Sequence, residues 1–247
     1  MGESCHLAVI WFTCGRDSEL LKLSTQSVLD RVPDAKLYAY EDIKDPLPES
    51  FLWAGTRRTG GEHGNGLDSL KCIVRQIEAM QEVAEETGAE WLLKIDSDML
   101  WLSTRRIYDK LDGYYAVMGS DSMGAIAGRW RYCSGGAYFV NAHALRLAFP
   151  PDESIEKKIR RMDMMTGFAW SKRWHEDQVI TTMIPFFSGM KRFGVPFGEG
   201  GLQCYNFLAQ ESCHADFVEF GRRSQLGAIA PAAKTVLQKI AMSKYLS

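Results

Sequence analysis

The stretch Trp91-Leu-Leu-Lys-Ile-Asp-Ser-Asp98 gives the clearest indication of the fold in this sequence. Its first five residues are apolar except for Lys94, and a short run of this kind is typical of a strand buried on both faces of a parallel sheet. Asp96 and Asp98 follow the run directly. Because ligands bind at the carboxyl ends of strands in open α/β sheets, the stretch predicts a buried strand that ends in an acidic ligand site.

The sequence before this strand alternates between strand and helix patterns. The apolar run Leu7–Thr13 and residues 36–40 predict two more strands, separated by a helix over about residues 17–32. Apolar residues at helical spacing predict a long helix over residues 68–87, which Gly88 ends. This order predicts an α/β fold with an open, mainly parallel (mixed) sheet flanked by helices, and therefore a Rossmann-like architecture.

Glycine-rich and irregular segments make up much of the rest. Residues 55–66 predict a long loop that could close over a ligand, and Gly135-Gly136 predicts a tight turn. In the second half we predict strands over residues 114–119 and 137–140, a short helix over residues 176–183 and a terminal amphipathic helix over residues 231–246. Since no repeat or long linker divides the chain, we predict one domain over residues 1–247, with a sheet-building half over about residues 1–120 and a second lobe over about residues 121–247.

The overall charge and hydropathy exclude some classes of partner. The formal net charge of −2 gives no bulk attraction for nucleic acid, so we predict no nucleic-acid partner. Apolar stretches fall short of the roughly 20 residues that a spanning helix needs, and the N-terminus lacks a basic region and a cleavage site. We therefore predict a cytoplasmic protein. Residues 231–246 carry lysines beside apolar residues, which indicates either packing on the domain or weak peripheral contact with an anionic membrane.

The six cysteines are scattered and show no Cys-x-x-Cys spacing, so we predict free thiols. The alternative for Cys204 and Cys213 is a zinc site that they form together with His214. Their spacing matches no tight zinc motif and a fourth ligand is not evident, which makes zinc the weaker hypothesis.

The acidic pair requires a neutralising partner. In an extended segment Asp96 and Asp98 point the same way and Ser97 points the opposite way. Two carboxylates held close together repel unless a proton or a cation neutralises them. Mn²⁺ or Mg²⁺ prefers oxygen ligands and commonly shares them with phosphates. The alternative is a plain turn at the end of a strand.

Four segments, taken in order, resemble those of a known family. Lys94-Ile-Asp-Ser-Asp-Met-Leu100 resembles the Asp-x-Asp motif of glycosyltransferases with the nucleotide-diphospho-sugar (GT-A) fold. Thr13-Cys-Gly-Arg-Asp17 is similar to the loop that contacts the base and ribose in that family. Ser134-Gly-Gly-Ala-Tyr-Phe139 resembles its glycine-containing segment below the donor sugar, and Trp174-His-Glu-Asp-Gln-Val179 resembles its acidic motif near the acceptor.

The resemblance implies a set of residues around a nucleotide-sugar donor. It places Asp96, Ser97 and Asp98 at the diphosphate, with Mn²⁺ or Mg²⁺ bound by Asp96 and Asp98. It also implies a third metal ligand from the C-terminal part of the chain, for which His214 is the candidate; a structural role is the alternative for a lone histidine. The remaining donor contacts that it implies are Thr13, Arg16, Gly135 and Gly136. Arg16 follows the first strand and can reach a phosphate or ribose; simple solvation near a helix start is the alternative for it.

Two further residues are candidates for donor contacts because of their position. Glu41-Asp42 ends the second strand, where Asp42 could accept a hydrogen bond from the ribose or base, although a plain turn explains the pair slightly better. Lys71 lies in the first turn of the long helix, whose N–H groups favour anions, so its ammonium could contact the diphosphate. Solvent exposure on the polar face of the helix is the alternative for Lys71.

Asp177 and Glu176 are the candidates for acid/base catalysis. By resemblance to the family's acidic motif Asp177 comes first and Glu176 next, since an inverting transfer needs a base to deprotonate the acceptor hydroxyl. The alternative is helix capping, because carboxylates are favoured at helix N-termini. Asp-Gln at positions 177–178 also occurs in retaining members, so the stereochemistry stays open.

Taken together, the resemblance implies a glycosyltransferase. It would move a hexose or N-acetylhexosamine from a nucleotide-diphosphate sugar, with UDP as the expected nucleotide, to a hydroxyl of a carbohydrate, a lipid-linked sugar or a protein. The first half would then bind the donor, and the second lobe would be the acceptor side. Two alternatives are a nucleotidyltransferase of related fold, to which a glycine-rich nucleotide loop at residues 55–58 would point, and a domain that binds a nucleotide sugar or carbohydrate without turnover.

Overall fold

The computed structural model describes residues 7–61, 69–104, 106–107, 110–111, 113–121, 132–167, 176–195, 203–205, 215–219, 238–240 and 242–243. Its elements are, in chain order, β1 (Leu7–Thr13), α1 (Ser18–Leu29), β2 (Lys36–Asp42), β3 (Thr56–Gly61), α2 (Ser69–Thr87), β4 (Trp91–Ile95), β5 (Met99–Trp101), β6 (Tyr115–Asp121), β7 (Cys133–Asn141), α3 (Ala142–Ala148), α4 (Ile155–Thr166), α5 (Glu176–Ser188), β8 (Lys191–Val195), β9 (Gln203–Tyr205) and β10 (Phe217–Glu219). Residues 238–240 and 242–243 are helical and are called the C-terminal segment.

Seven strands form the main sheet, in the order β3-β2-β1-β4-β7-β6-β8. The first four are parallel to one another, β7 is antiparallel to both neighbours, and β8 is parallel to β6. The carboxyl ends of β1 to β4 and of β6 therefore meet the amino end of β7 at one edge, which we call the carboxyl edge. The predicted open, mainly parallel α/β sheet is confirmed.

The central strands are buried on both faces, which is why their sequences are continuously apolar. Alternate residues of β1 belong to different core clusters. Ile10 shares a cluster with Ile77 of α2 and Ile180 of α5, whereas Trp11 shares one with Val28 of α1. Helices therefore flank both faces of the sheet, as the sequence pattern predicts.

A second sheet, which was not predicted, begins directly after the acidic turn and joins β5 to strands from the second half of the chain. It has the order β5-β10-β9, and β5 begins directly after Asp98. The ring of Trp101 in β5 stacks on Phe217 of β10 with 5.3 Å between centroids. Met242 of the C-terminal segment is fully buried in a cluster that includes Leu20 of α1. The C-terminal segment is thus fixed near the residues that follow β4.

The loop predicted over residues 55–66 is wrong in its described part, because residues 56–61 form β3 at the edge of the main sheet. Main-chain pairing with β2, from Tyr38 opposite Thr56 to Asp42 opposite Gly61, holds this strand without an apolar pattern. Residues 62–66 lie outside the described residues. Since residues 56–58 belong to a strand, they do not form the glycine-rich nucleotide loop that the nucleotidyltransferase alternative requires.

Arg57 of β3 binds the end of β2 and the loop that follows it. Its substitution is therefore expected to destabilise the fold. Its guanidinium donates to both carboxylate oxygens of Glu41 (2.6 and 3.1 Å) and to the carbonyl of Leu47 (2.8 Å). Glu41 is largely buried, and removing one partner of such a pair leaves a charge uncompensated. We expect Arg57→Met to lower the free energy of unfolding by about 2 kcal/mol and the melting temperature by about 5 °C, measured by thermal denaturation. An unchanged melting temperature would contradict this role.

Some boundaries differ from the predictions for local reasons. Helix α1 ends at Leu29, before the predicted end near Val32, because the following Pro33 disfavours helical backbone at Val32. Gly135-Gly136 is not a tight turn: both residues lie in β7, where the pairing with β6 shifts register.

Helices α3 and α4 were not predicted, although each carries an N-cap. Asn141 accepts a hydrogen bond from the N–H of Ala144, and Ser154 accepts one from the N–H of Lys157.

The described residues of the predicted terminal helix over residues 231–246 are indeed helical. Gln238 and Met242 are buried, whereas Lys239 and Ile240 are exposed. In the described part of the chain, no helix is both long enough and apolar enough to cross a membrane. Weak contact of residues 231–246 with a membrane surface stays a prediction.

Candidate functional site

Asp96 begins a tight turn at the carboxyl end of β4. Its N–H donates to the carbonyl of Gly136 (2.8 Å), and its own carbonyl accepts from the N–H of Met99 (3.2 Å), where β5 begins. The prediction of an extended segment at Asp96–Asp98 is therefore wrong, because the chain turns here to pass from the main sheet to the second one. Ser97 is buried in this turn, whereas Asp96 and Asp98 are partly exposed. The two carboxylates thus differ in environment from the serine between them.

Ser97 and Thr13 form a buried hydrogen bond at the carboxyl edge. The hydroxyl of Ser97 donates to the hydroxyl of Thr13 across 3.0 Å, and both side chains are buried. The bond joins the turn after β4 to the end of β1. Contact of either residue with a donor stays a prediction.

Lys94 is bound to Asp96 from inside the sheet. Its ammonium, almost fully buried, donates to Oδ1 of Asp96 at 2.5 Å. Burial acts to lower the pKa of Lys94, but Asp96, with Tyr138 and Glu176, outweighs it and raises that pKa. Lys94 is therefore a fixed positive charge beneath the turn.

Burial and neighbouring charges also act on the Asp96 carboxyl. Desolvation raises the pKa of the Asp96 carboxyl; Lys94 opposes this rise, and the negative charges of Glu176 and Asp17 add to it. Each of these charges disfavours the ionised form of Asp96. A divalent cation at the turn would relieve this repulsion.

Gly136 gives the Asp96 carboxylate the space that it occupies. A Cβ at position 136 would lie 2.6 Å from Oδ2 of Asp96 and would also collide with the sulfur of Met99. The glycine is therefore required by close approach rather than by an unusual backbone angle. Gly135 lies beside it in β7. The structure thus brings the predicted glycine segment against the predicted acidic motif.

Asp98 is held by the C-terminal segment. Oδ2 of Asp98 accepts a hydrogen bond from the side-chain amide of Gln238 at 3.0 Å. Gln238 is largely buried. The second carboxylate of the pair is therefore oriented by a residue 140 positions away in the sequence.

Helix α5 places Glu176 and Asp177 at the carboxyl edge, because both lie in its first turn. The hydroxyl of Thr181 accepts from the N–H of Cys133 at the start of β7 (2.9 Å) and donates to the main-chain carbonyl of Asp177 (2.6 Å). Burial and then the charge of Glu176 raise the pKa of Cys72 in α2, and the charge of Glu176 also raises the pKa of Asp96, so Glu176 lies within electrostatic reach of both groups. The structure therefore brings the predicted acid/base residues and the acidic turn together.

Arg16 and Lys71 are exposed at the same edge. Arg16 follows β1, and its Nε donates to the sulfur of Cys14 at 3.3 Å. Lys71 lies in the first turn of α2, two residues after that helix begins. Both are placed where a phosphate or ribose could be reached, and their predicted roles stay predictions.

Asp42 lines an open cleft of about 300 Å³ at the ends of β2 and β3, together with Glu41, Arg57, Arg58 and other residues. Its Oδ1 accepts a hydrogen bond from the N–H of Lys44 at 2.8 Å. Glu41, which also ends β2, is bound by Arg57 as described above. Asp42 is largely buried, and its contact with a ribose or base stays a prediction.

The metal prediction has two candidate ligands within the described residues. There, no three histidine, cysteine or acidic side chains are grouped closely enough to hold a metal ion. The predicted third ligand, His214, lies outside the described residues, as does Cys213 of the zinc alternative. Asp96 and Asp98 fit Mn²⁺ or Mg²⁺ by their chemistry, since both supply hard oxygen atoms and these ions complete their coordination with phosphates and water.

The cysteines agree with the prediction of free thiols as far as they are described. Cys14, Cys72 and Cys133 are unpaired. Burial raises the pKa of Cys133 to about 12, so its thiol stays protonated and is not a nucleophile at neutral pH.

Solved structures that are similar to this chain include glycosyltransferases. One is a glycosyltransferase involved in the glycosylation of the major capsid of PBCV-1, with 14% identity over 97% of this chain and 99% of the other, and a TM-score of 0.54. Another is the galactosyltransferase LgtC in complex with donor and acceptor sugar analogs, with 11% identity, 95% coverage of both chains and a TM-score of 0.56. The chain has the GT-A fold.

A third structure with this GT-A fold is an active-site glutamine-to-glutamate mutant of LgtC, with 12% identity, 94% coverage of both chains and a TM-score of 0.57. No protein-family model and no curated protein matches the chain. At these identities the likeness establishes the fold.

Two residues of the site were missed from the sequence. Lys94 could have been found, because it is a charged residue within the otherwise apolar strand Trp91–Ile95 and lies two positions before Asp96, on the same side of that strand. Gln238 could not, because nothing in a terminal amphipathic helix indicates which distant carboxylate one of its amides will meet.

Proposed function

We propose that the chain is a metal-dependent glycosyltransferase that transfers a hexose or N-acetylhexosamine from a UDP-linked sugar to a hydroxyl acceptor. The observation that carries the proposal is the turn at the end of β4, where Asp96 lies against Gly136 and Asp98 is held by Gln238. The turn lies at the edge of a GT-A sheet where ligands bind in open α/β folds. The galactosyltransferase of the same fold was crystallised with donor and acceptor sugar analogs, which supports such ligands here.

Asp96 and Asp98 are the proposed ligands for Mn²⁺ or Mg²⁺, with His214 as the proposed third ligand. When bound, the ion would neutralise negative charge on the departing nucleotide diphosphate. Lys94 fixes the orientation of Asp96 by its 2.5 Å hydrogen bond, and Gly136 leaves room for the carboxylate. Arg16 and Lys71 are the proposed contacts for the ribose or phosphates.

Glu176 and Asp177 are the proposed acid/base residues on the acceptor side. In an inverting reaction one of them would accept the proton of the acceptor hydroxyl as that oxygen attacks the anomeric carbon. The bonds through Thr181 hold the first turn of α5 against β7, so that both carboxylates stay at the edge. The acceptor hydroxyl could belong to a carbohydrate, a lipid-linked sugar or a protein.

Substitution of Asp177 tests this assignment. We expect Asp177→Asn to lower the rate of transfer by about a hundredfold or more, because an amide cannot accept the acceptor's proton, while donor affinity changes less than about threefold. The measurement is steady-state transfer with donor affinity determined separately. Asp152→Asn, at an exposed position in the turn before α4, is the matched control and should behave like the unsubstituted chain. Full activity of Asp177→Asn would show that Asp177 is not the catalytic base. Either Glu176 would then be the base or the reaction would need none.

Release of free nucleotide separates an enzyme from a binding domain. The chain is incubated with UDP-hexoses and UDP-N-acetylhexosamines in Mn²⁺, and the UDP formed by slow hydrolysis is measured. We expect UDP to accumulate in Mn²⁺ and not in EDTA. Tight binding of a UDP-sugar without any UDP release, even with a panel of sugar acceptors, would support the binding domain instead.

A further inference from the structure

The side chain of Gln238 reaches Asp98 from the far end of the chain. Its amide nitrogen donates to Oδ2 of Asp98 at 3.0 Å, and the residue is only 5% exposed. The amide is therefore sheltered from water on the side of the C-terminal segment, whereas Asp98 is partly exposed.

Two further contacts fix the C-terminal segment in this place. Met242 is fully buried in a cluster that includes Leu20 of α1 and Leu100 of β5. The ammonium of Lys239 lies 2.8 Å from Oε2 of Glu19 in the first turn of α1. Glu19 and Lys239 are about half-exposed, so the ion pair contributes little, and the buried methionine is the main anchor. Leu100 is two residues after Asp98, so the anchor lies close to the carboxylate that Gln238 contacts.

The two carboxylates of the turn are thus held by chemically different partners. Asp96 is bound by an ammonium, which cancels its charge. Asp98 accepts a hydrogen bond from the neutral amide of Gln238, which orients the carboxylate. Outer contacts that orient a metal-binding carboxylate commonly change metal affinity tenfold to a hundredfold.

We propose that Gln238 is a positioning residue that orients Asp98 for the metal. Through this contact, packing of the C-terminal segment against α1 and β5 is coupled to donor binding. This inference rests on the proposed function, because it assumes that Asp98 binds the ion that holds the nucleotide diphosphate. Since coupling is reciprocal, metal and nucleotide should also stabilise the C-terminal segment.

Mn²⁺ affinity in the presence of UDP tests the proposal. Free Mn²⁺ is measured by its electron paramagnetic resonance signal for the unsubstituted chain, for Gln238→Met and for Lys239→Met. Methionine is similar in length to glutamine and lacks the amide. We expect Gln238→Met to bind Mn²⁺ about tenfold to a hundredfold more weakly. Lys239→Met, which alters the same segment without touching Asp98, should stay within about twofold, as exposed ion pairs contribute little.

Thermal unfolding in EDTA accompanies these titrations, because a merely structural role for Gln238 would lower stability without changing the Mn²⁺ affinity of the folded protein. A second measurement needs no substitution. We expect Mn²⁺ with UDP to slow hydrogen exchange in the peptide that contains Met242, and unchanged exchange would overturn the coupling.

The outcomes separate this inference from the proposed function. Equal Mn²⁺ affinity in Gln238→Met and in the unsubstituted chain would overturn the positioning role and leave the glycosyltransferase proposal standing. If the unsubstituted chain binds neither Mn²⁺ nor any UDP compound, the proposed function fails and the role of Gln238 fails with it.

Discussion

Asp98→Asn is expected to lower metal-dependent transfer by about a thousandfold and to leave the fold intact. Loss of one carboxylate from the proposed metal site removes several kcal/mol of charge stabilisation, and about 4 kcal/mol corresponds to a thousandfold in rate. The asparagine keeps a carbonyl oxygen that can still accept the hydrogen bond from Gln238, so the C-terminal segment should keep its position. Steady-state transfer in Mn²⁺ and thermal unfolding in EDTA measure the two effects separately.

Asp30→Asn is the matched control for this substitution. Asp30 lies at the exposed end of α1, where it accepts a hydrogen bond from Gln26 at 2.7 Å. Its replacement removes the same charge from the chain without altering the turn after β4. Transfer by Asp30→Asn should equal that of the unsubstituted chain. Full transfer activity of Asp98→Asn would remove Asp98 from the proposed site.

Gly136→Ala is expected to weaken donor binding strongly and to destabilise the protein. The added Cβ would lie 2.6 Å from Oδ2 of Asp96, and the main chain of β7 is held by its pairing with β4 and β6, so the carboxylate must move. Overpacking of this kind costs about 1–3 kcal/mol. Because Asp96 would leave its position, we also expect nucleotide affinity in Mn²⁺ to fall by about a hundredfold. Calorimetric titration with UDP and thermal unfolding measure the two losses.

Gly88→Ala separates loss of stability from loss of the site. Gly88 follows α2 with a φ of 64°, and an alanine Cβ would meet no atom within 4 Å there. The strain of a positive φ should lower stability by about 1 kcal/mol, far from the carboxyl edge. Gly88→Ala should therefore bind UDP as the unsubstituted chain does. Equal UDP affinity in Gly136→Ala and Gly88→Ala would show that Asp96 needs no space at position 136.

The main sheet could be predicted because its strands are buried on both faces. Leu7–Thr13 and Trp91–Ile95 are continuous apolar runs, and such runs require a core on either side. β3 could not be predicted, since an edge strand is held by main-chain pairing and the sequence Thr-Arg-Arg-Thr-Gly-Gly shows no alternation. β5 and β9, at three residues each, are too short for a periodic pattern to appear.

The candidate site could be predicted wherever its residues follow a strand or begin a helix. Asp96 and Glu176 belong to this class, because topology alone carries the ends of β4 and the start of α5 to one edge. Their detailed geometry could not be predicted. The turn from Asp96 to Met99 depends on where β5 pairs, and the contact of Gln238 with Asp98 depends on packing across most of the chain.

Calorimetric titration of the unsubstituted chain with UDP, once in Mn²⁺ and once in EDTA, tests the central claim most directly. The claim is that the turn at Asp96 and Asp98 binds a nucleotide diphosphate through a divalent cation. We predict saturable binding of one UDP per chain in Mn²⁺, weakened by at least about a hundredfold in EDTA, and the same loss in Mn²⁺ for Asp98→Asn. Binding of UDP that is equal in Mn²⁺ and EDTA, or no binding of any nucleotide diphosphate in either, would contradict it.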